Sequence, residues 1–407
     1  MIYDVIVIGG GASGLMAANQ FEKAKINYLI LEKNDRFGKK LLLTGGRRCN
    51  LTNNLPVKEF INHLTVNYKK FIYTALNQFG PREIKLYFSK NGLDLVLEDE
   101  LKYFPKTQKS SSVLEVLMKD LHQNHIQLNQ SVRRIEKRKD VFTVYTKEKC
   151  FQSYHVIVAT GSNSFPSTGS SGDGLVFAKH FDIAYDDFTP AETYVYSKQA
   201  VDYLSSLRGI SIKNTLVKVL GVNQAYQDDL LVTHNGLSGP VIMHLSEFIY
   251  EDILKHQASI LEMSFIHMRE DELFQLFISH KDERIDRVLK RYVHKKIVDV
   301  LLNQLGIQSK KILEISKKNL RFISQTFTRY QIVVDRVEEK EKAFVNKGGI
   351  HLKEMDPKTM MIKKVEGLYF VGETTNLHGP IGGYNLTIAC STGYLASQSI
   401  INKHKVF

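Results

Sequence analysis

The sequence opens with a glycine-rich turn that restricts the fold of everything around it. Gly9, Gly11 and Gly14 form the pattern G-x-G-x-x-G directly behind the apolar run YDVIVI. An apolar run that ends in such a turn and is followed by helical spacing is typical of a buried parallel strand leading into a helix. A second short apolar run, YLIL, then completes a strand–helix–strand unit at the N-terminus.

This unit predicts a dinucleotide site. The first glycine permits the tight turn, the second lets the backbone approach a pyrophosphate, and the third lets the helix pack on the strand. Glu32 stands 18 residues after Gly14, at the end of the second strand, where a carboxylate can bind ribose hydroxyls. An acid there favours FAD or NAD over NADP. The alternative, a glycine turn without a ligand, is disfavoured by the strand, helix and acid around it.

The rest of the chain supports an α/β fold with an inserted region. Apolar runs predict strands at residues 132–135, 141–145, 155–159 and 367–372, and helical spacing covers residues 68–97 and 386–396. Between residues 193 and 243 the pattern is short and β-like, which indicates a small antiparallel sheet or barrel. Helical spacing then runs from residue 280 to 327, interrupted at Gly306.

Several classes of protein are excluded or disfavoured. The three cysteines of this 407-residue chain are far apart, which argues against a disulfide framework and a cysteine-based zinc site. No H-E-x-x-H, G-x-S-x-G or P-loop pattern occurs, so no metal site is predicted. The sequence has no long apolar segment and no apparent signal peptide, so we expect a soluble, cytoplasmic protein without membrane contact.

Further motifs distinguish FAD from NAD. The long loop GKKLLLTGGRRCNLTN covers residues 38–53, and GLYFVGE and GPIGGYNL follow near the C-terminus. With YFPKTQKSSSV, ATGSNSFPSTGSSGDG and THNGLSGP, these motifs resemble the BaiN-like family of FAD-dependent oxidoreductases, which also includes proteins named aminoacetone oxidases. The resemblance extends over essentially the whole chain.

The resemblance implies a domain organisation and a cofactor. The fold would be a Rossmann-like FAD-binding domain of the two-dinucleotide-binding-domain flavoprotein type, with an inserted β-barrel and a small helical domain. The FAD domain would comprise residues 1–190 and 334–407. The barrel would comprise residues 191–260 and about 325–333, and the helical insertion residues 261–324.

The resemblance also implies which residues hold the FAD. One group would bind pyrophosphate and adenosine, and a second would lie near the ribityl chain and the flavin ring. The first group is Gly9, Gly11, Ala12, Ser13, Gly14, Glu32, Lys33, Val132, Ala159, Thr160 and Gly161. The second is Lys40, Thr44, Gly45, Arg48, Cys49, Asn50, Gly372, Glu373, Gly383, Tyr384, Asn385 and Leu386. A helix beginning at the flavin ring would stabilise the negative charge of the reduced form.

Some residues in these motifs have two interpretations. Arg47 stands where the family usually has glycine, which raises the question of the local backbone geometry. Cys49 has no C-x-x-C partner, so a packing role is favoured over a redox role. His378 and Tyr384 are candidates for a catalytic role at the substrate, although a role in hydrogen bonding or packing is an equal or better interpretation of each.

The activity implied by the resemblance is hydride exchange between flavin N5 and a small organic substrate. Two branches remain open: reduction of a carbon–carbon double bond with NAD(P)H, or oxidation of a small amine by oxygen. The chain has no second G-x-G-x-x-G, so a pyridine nucleotide would bind only transiently. The sequence does not predict the oligomeric state.

The charge of the chain leaves one alternative function. Of the net charge of +12, +8 arises between Lys281 and Tyr330, where 13 Lys and Arg residues accompany five acids. A solvated helix face is the favoured interpretation, since no known nucleic-acid motif or aromatic pattern accompanies it. The alternative is a flavin-containing RNA-modifying protein that binds nucleic acid through this insertion. Lys33, Lys39, Lys40, Arg47 and Arg48 add charge in the loop expected to pass the FAD.

Overall fold

The computed structural model describes residues 1–66, 69–307 and 309–404. The chain divides into two compact units. Unit 1 consists of Met1–Thr189 and Lys340–Phe407, whose last three residues lie outside the described part, and unit 2 consists of Pro190–Glu339. The further division of unit 2 into a barrel and a helical domain stays a prediction.

The first half of the chain contains both strands and helices. They are β1 (Ile2–Ile8), α1 (Ala12–Ala24), β2 (Tyr28–Leu31), β3 (Thr52–Asn53), α2 (Val57–Asn62), α3 (Tyr73–Phe79), α4 (Pro81–Lys90), β4 (Leu95–Glu98), β5 (Lys102–Pro105), α5 (Ser110–Met118), β6 (Ile126–Gln127), β7 (Val132–Arg138), β8 (Val141–Thr146), β9 (Cys150–Val158), α6 (Asp173–His180) and β10 (Tyr185–Glu192).

Unit 2 follows, and the chain then returns to unit 1. The elements of unit 2 are β11 (Val195–Tyr196), α7 (Lys198–Leu204), β12 (Ser211–Val219), β13 (Gln224–Val232), β14 (Gly236–Ser238), α8 (Pro240–His256), β15 (Ser259–Ser264), α9 (Glu270–Ser279), α10 (Ile285–Leu289), α11 (Lys295–Gln304), α12 (Lys317–Thr328), β16 (Tyr330–Val334) and β17 (Arg336–Val337). The last elements are β18 (Val345–Ile350), β19 (Leu368–Phe370) and α13 (Tyr384–His404).

The main sheet of unit 1 has the order β6-β2-β1-β9-β8-β7, and β19 pairs with β9. The strands β6, β2, β1, β9 and β19 are parallel, with Val5 opposite both Tyr28 and His155, and Leu368 opposite Val156. The apolar side chains at residues 5–8, 28–31, 156–158 and 368–370 of these strands are buried, as expected for a parallel sheet. The Rossmann-like α/β fold predicted from the sequence is therefore confirmed.

Two helices pack together beside the glycine turn. A Cβ atom on Gly393 of α13 would overlap the backbone of Ser13 in α1, so only glycine allows these helices to approach this closely. Helix α1 itself is buried along Ser13–Phe21. Helix α13 thus packs directly against the start of α1, beside the glycine turn.

Unit 2 contains a seven-stranded sheet with the order β16-β15-β12-β13-β14-β11-β17. The two ends of this order are consecutive in the chain, since residues 330–334 pair with β15 and residues 336–337 pair with β11. One continuous segment therefore joins both edges of the sheet, as in a barrel. Helices α9 to α12 pack their apolar faces into a separate core with this sheet.

The structure corrects some boundaries expected from the sequence. Residues 95–97 were expected to end a helical region, but they form β4, because Leu95, Val96 and Leu97 pair with β5. The beginning of that region, at residue 68, lies outside the described part of the chain. The last helix begins two residues earlier and ends eight residues later than the expected range 386–396.

Candidate flavin site

Parallel strand order brings four predicted segments to one edge of the sheet. Strands β1, β2, β9 and β19 end at Ile8, Leu31, Val158 and Phe370. The residues that follow them are the glycine turn, Glu32, the segment 159–161 and the segment 372–373, respectively. Ligands of open α/β sheets bind at this carboxyl edge. The sequence alone could not place these segments together, because they span most of the chain.

The glycine turn has the close contacts that its residue types imply. A Cβ on Gly9, where φ is +106°, would lie 2.5 Å from the carbonyl oxygen of Ala159, and one on Gly14 would overlap the carbonyl oxygen of Gly9. A Cβ on Gly11 would meet nothing within 4 Å. Gly9 and Gly14 therefore serve the fold, whereas Gly11 borders open space.

No side chain caps α1 at its N-terminus, and no acid lies in its first turn. Its first backbone N–H groups therefore point toward the space beside Gly11 without a carboxylate to neutralise them. This combination suits an anionic group such as a pyrophosphate.

Glu32 is buried and fastens the glycine turn. Its Oε2 accepts the N–H of Gly10 at 2.8 Å, and its Oε1 accepts the N–H and Nδ2–H of Asn34 at 2.8 and 2.7 Å. Each carboxylate oxygen has more than one lone pair, so these bonds leave capacity for a ribose hydroxyl. Gln130 donates its N–H to the Glu32 carbonyl at 2.8 Å, which places Val132 two residues beyond this point.

The end of β9 carries a buried hydroxyl that the protein does not satisfy. Thr160 Oγ1 has no hydrogen-bond partner among the described residues. Beside it, the Gly161 N–H donates to Thr374 Oγ1 at 3.1 Å, and Gly161 has φ of +75°. A buried polar group without a partner is unfavourable unless a ligand or water supplies one. Thr160 is therefore a candidate ligand contact.

Lys33 and Lys40, both predicted cofactor residues, are engaged by acids. Lys33 Nζ lies 2.7 Å from Asp173 Oδ2. Lys40 Nζ forms an ion pair with Glu373 and donates to Ser164 Oγ at 2.6 Å and Ser162 Oγ at 3.3 Å. The pair of Lys40 and Glu373 joins the two sequence segments of unit 1. Both lysines thus fasten the loops at the sheet edge.

Besides Gly38, the loop after β2 contains four residues in the left-handed region. Gly45, Gly46, Arg47 and Cys49 have φ of +55°, +64°, +72° and +65°. Arg47, which replaces the usual glycine of the family pattern, therefore keeps the conformation that glycine would adopt. This conformation is unfavourable for a residue with a side chain, by about 1 kcal/mol or more.

The predicted loop residues face in several directions. Thr44 Oγ1 donates to the Leu41 carbonyl at 2.6 Å. Arg48 pairs with Glu98, and its guanidinium lies 4.2 Å from the ring centre of Phe104. Arg48 is thus bound to the hairpin of β4 and β5.

Cys49 is completely buried, and burial raises the pKa of its thiol to about 12. Burial raises the pKa of Cys390 to the same value. A thiol of this kind is almost wholly protonated at neutral pH and is a poor nucleophile. These observations fit the packing role that the sequence favours for Cys49.

The N-terminus of α13 contacts the same loop. Gly382 and Gly383 have φ of +115° and +85°, and a Cβ on Gly383 would lie 2.5 Å from the carbonyl carbon of Thr52. The Asn50 amide, oriented by its neighbours, accepts the Gly383 N–H at 3.2 Å and donates to the Thr52 carbonyl at 3.1 Å. The predicted residues Asn50 and Gly383 are therefore brought together.

Asn385 organises the turn that leads into α13. Its Oδ1 accepts the Gly379 N–H at 3.0 Å, and its Nδ2–H donates to the Gly379 carbonyl at 2.7 Å. Leu386 follows it and is half-buried. The side chain of Asn385 is thus a structural anchor of the loop before the helix.

Tyr384 and His378, the two candidate catalytic residues, are both buried. The Tyr384 ring lies 4.7 Å from that of Phe60, centre to centre. His378 Nε2 forms a hydrogen bond of 3.0 Å with Thr65 Oγ1. These contacts hold both side chains in fixed positions beside Gly379.

The residues at the sheet edge fit FAD. They provide open space at Gly11, an uncapped helix N-terminus, a buried hydroxyl without a partner at Thr160, and a second helix that begins with glycines. The sequence reasoning missed Thr374, Ser162 and Ser164, although the serines lie in the quoted motif ATGSNSFPSTGSSGDG. Only the fold brings them to Lys40 and Gly161.

Comparisons with known proteins cover nearly the whole chain. A family model described as HI0933-like protein Rossmann domain matches residues 3–399. The ribosomal RNA dihydrouridine synthase of Haemophilus influenzae is 28% identical, over 97% of this chain and 98% of that protein. The 3-dehydro-bile acid delta(4,6)-reductase of Clostridium scindens is 26% identical, also over 97% and 98%.

A solved structure has a similar fold. The 3-ketosteroid-delta4-(5alpha)-dehydrogenase of Rhodococcus jostii superposes with a TM-score of 0.51 at 12% identity, covering 98% of this chain and 96% of that one. Across residues 1–66, 69–307 and 309–404, no helix is both long and apolar enough to cross a membrane.

Proposed function

The chain belongs to the HI0933-like Rossmann family, in agreement with the predicted BaiN-like family of flavin-dependent oxidoreductases, and from this premise we propose that it reduces carbon–carbon double bonds conjugated with a carbonyl group. The observation that carries the proposal is shared by the two relatives. One is named for making dihydrouridine and the other as a delta(4,6)-reductase. Both names describe the addition of hydrogen across a carbon–carbon double bond.

The proposed substrates share one electronic feature. In uridine the C5=C6 bond is conjugated with the C4 carbonyl, and in a conjugated ketone the carbonyl activates the double bond in the same way. The carbonyl withdraws electron density, so the far carbon accepts a hydride and the near carbon then takes a proton. Bound FAD would supply the hydride from N5 after reduction by a pyridine nucleotide.

The protein's part in this reaction is binding and charge stabilisation. The glycine turn and the N-terminus of α1 would hold the pyrophosphate, with Glu32 at the ribose. The N–H groups that begin α13 would stabilise negative charge on the flavin ring.

The proton would come from one of two residues. Tyr384 and His378 are both held beside the glycine loop that precedes α13. A proton donor in this role must remain fixed near the reacting carbon, which packing on Phe60 and the bond to Thr65 would achieve. Tyr384→Phe and His378→Gln separate the two assignments, because only the donor's replacement should slow reduction while leaving FAD affinity unchanged.

Two substrate classes are proposed. A small conjugated ketone fits the small-substrate prediction from the sequence and the name of the bile-acid relative. Uridine in RNA is the second candidate, favoured by the name of the Haemophilus relative and by the basic charge of unit 2. NADH or NADPH is the proposed electron source in both cases, and oxygen with an amine is the competing branch.

The test is a two-step anaerobic titration of the flavin-loaded protein. NADH or NADPH should bleach the visible flavin absorption, and the colour should return on addition of a conjugated cyclic ketone or uridine-containing RNA, with the saturated product detected by mass spectrometry. Wild-type protein without a substrate is the control. Protein that cannot take up FAD, or is reduced only by amines and reoxidised only by air, would overturn the proposal.

A further inference from the structure

Most of the charge in the stretch 281–330 of unit 2 is not neutralised. Five of its 13 cations form ion pairs with acids, namely Arg284–Asp286, Lys290–Asp299, Arg291–Glu283, Arg321–Asp271 and Arg329–Glu262. The other eight are exposed and have no ion pair within the described residues. These are Lys281, Arg287, Lys295, Lys296, Lys310, Lys311, Lys317 and Lys318.

The fold brings part of this charge together from distant positions in the chain. Residues 281–285 run antiparallel to residues 310–313, with the Ile285 N–H donating to the Lys310 carbonyl at 3.1 Å and the Leu313 N–H to the Lys281 carbonyl at 2.9 Å. Helix α12 begins four residues further on, with Lys317 and Lys318. We call the cations on this ribbon and at the start of α12 the basic ribbon: Lys281, Arg284, Lys310, Lys311, Lys317 and Lys318.

The acids in the basic ribbon do not cancel it. Glu283 is paired with Arg291, and the Glu314 carboxylate accepts the backbone N–H of Lys311 at 3.1 Å. Asp282 is exposed. Arg284 is itself paired with Asp286. Six cations against these four acids still leave the ribbon positive.

The position of the lysines does not serve helix stability. Helix α12 is capped by Ser316, whose Oγ accepts the Asn319 N–H at 3.2 Å, and its first two residues are Lys317 and Lys318. A helix N-terminus carries partial positive charge, so cations there destabilise the helix by about 0.3–1 kcal/mol each. These lysines therefore need an explanation outside the folding of the helix.

Exposed aromatic rings accompany the charge. Tyr292, next to Arg291, is 47% exposed, and Phe322, one turn after Lys318, is 54% exposed. The sequence interpretation found no aromatic pattern here, because exposure is not visible in the sequence. Exposed rings beside cations are the combination with which proteins bind unpaired bases and phosphates of single-stranded nucleic acid.

We propose that the basic ribbon and the exposed rings of unit 2 dock RNA by its phosphate backbone and unpaired bases. This inference rests on the proposed function in its uridine form, since the docked RNA would be the reaction's substrate. An anionic membrane is the rival partner for a basic surface. The exposed aromatic rings favour RNA, because they stand singly among the cations, whereas membrane-binding segments combine cations with a continuous apolar face.

The experiment measures binding of a fluorescein-labelled single-stranded RNA to flavin-loaded, full-length protein at several salt concentrations. The test variant replaces Lys310, Lys311, Lys317 and Lys318 with glutamine. The matched control replaces four exposed lysines of unit 1, Lys58, Lys90, Lys147 and Lys149, and so has the same net charge. Melting temperature and flavin content establish that all proteins are folded.

The expected result is a selective loss of binding. Each phosphate contact contributes about −0.7 to the slope of log affinity against log salt for single strands, so the test variant should lose about two to three units of slope and bind at least tenfold more weakly. The control should bind within about twofold of wild type. Tyr292→Ala with Phe322→Ala should weaken binding by about tenfold or more without changing the slope.

Several outcomes would overturn the inference. They are absence of RNA binding by wild type near physiological salt, equal weakening in both lysine variants, and tighter binding to phosphatidylserine vesicles than to RNA. Failure of the proposed function is separate: RNA would then bind through the ribbon, yet neither RNA nor a conjugated ketone would reoxidise the reduced flavin. A ribbon variant that still reduces the ketone but no longer reduces RNA would support both.

Discussion

The cations near the candidate cofactor site and those of the insertion differ in their partners. Of the five in the loop region, Lys33, Lys39, Lys40 and Arg48 each lie within 4 Å of an acid. In the basic ribbon and its surroundings, eight cations have no such partner within the described residues. The first set is neutralised within the fold, whereas the second remains available to a ligand.

The comparison changes the interpretation of the net charge. The loop cations were expected to add positive charge for a bound dinucleotide, but their acids balance most of it. The N-terminus of α1 at the sheet edge instead offers backbone N–H groups, which suit an anion although they carry no net charge. Counting charged residues cannot separate these cases, because the acids Asp173, Glu98 and Glu373 are distant in the sequence.

We expect the largest change in stability from a substitution in the glycine turn. Gly14→Ala would press a methyl group onto the Gly9 carbonyl oxygen, so we expect a loss of about 3 kcal/mol or more in unfolding free energy, or no folded protein. Gly11→Ala meets open space and should leave stability nearly unchanged while weakening FAD binding. Urea unfolding of the apoprotein and fluorescence titration with FAD measure the two quantities. Equal behaviour of both variants would contradict a backbone-based phosphate site.

We expect the protein to lose stability at acid pH because of one buried histidine of unit 1, His155. Burial, with Lys403 and His404 nearby, lowers the pKa of His155 from 6.5 to about 4. Between these values the unfolded chain binds a proton that the native chain does not, so stability falls as pH falls, by up to about 3 kcal/mol over the full interval.

His155→Gln removes this titration and is the matched variant. Its unfolding free energy should depend less on pH between about 6.5 and 4 than that of wild type, as measured by urea unfolding at each pH. Parallel curves for the two proteins would mean that His155 gains its proton in the native state at its ordinary pKa.

Removing a neutralised cation should cost more than removing an open one. Lys40→Met leaves the Glu373 carboxylate without its cation, and we expect a loss of about 1 kcal/mol because both side chains are largely buried. Lys310→Met, at an exposed site without an acid, should change stability by less than about 0.5 kcal/mol. Thermal or urea unfolding measures both stability changes. Equal losses of stability in the two variants would contradict the difference between neutralised and open cations.

The smallest expected change in unfolding free energy is a gain in stability. Lys317→Glu places an acid in the first turn of α12, where the helix dipole favours it, and should stabilise the protein by about 0.3–1 kcal/mol. The same change should weaken RNA binding, as measured with the labelled strand. If the variant is more stable but binds RNA as tightly as wild type, Lys317 is not part of the docking surface.

The sequence predicted the strand–helix–strand unit well because each part depends on neighbouring residues. The G-x-G-x-x-G turn, its helix and YLIL are local patterns, and their bounds differ from the structure by at most one residue. The cluster of Lys40, Glu373, Ser162 and Ser164 could not be predicted in this way. It is created by parallel strand order, which joins residues more than 300 positions apart.

The same limit applies to the loop around Arg47. A departure from a glycine pattern could mean either a changed backbone or a strained arginine, and the residue type alone does not decide between them. The structure keeps φ at +72°, since Gly45 and Gly46 before it and Cys49 after it share the left-handed conformation. The two glycines before Arg47 adopt this conformation without strain, and Arg47 continues it despite its side chain.

The interrupted order of unit 1 has a consequence for synthesis. Unit 2 is one continuous segment, whereas the main sheet of unit 1 lacks β19 and the helix α13 until the residues after unit 2 are made. Since domains fold as units while the chain grows, unit 2 can fold on the ribosome before the earlier-made unit 1 is complete. Capture of the flavin would therefore follow the synthesis of residues 340–404, and a chain that stops before them would carry a folded insertion beside an incomplete sheet.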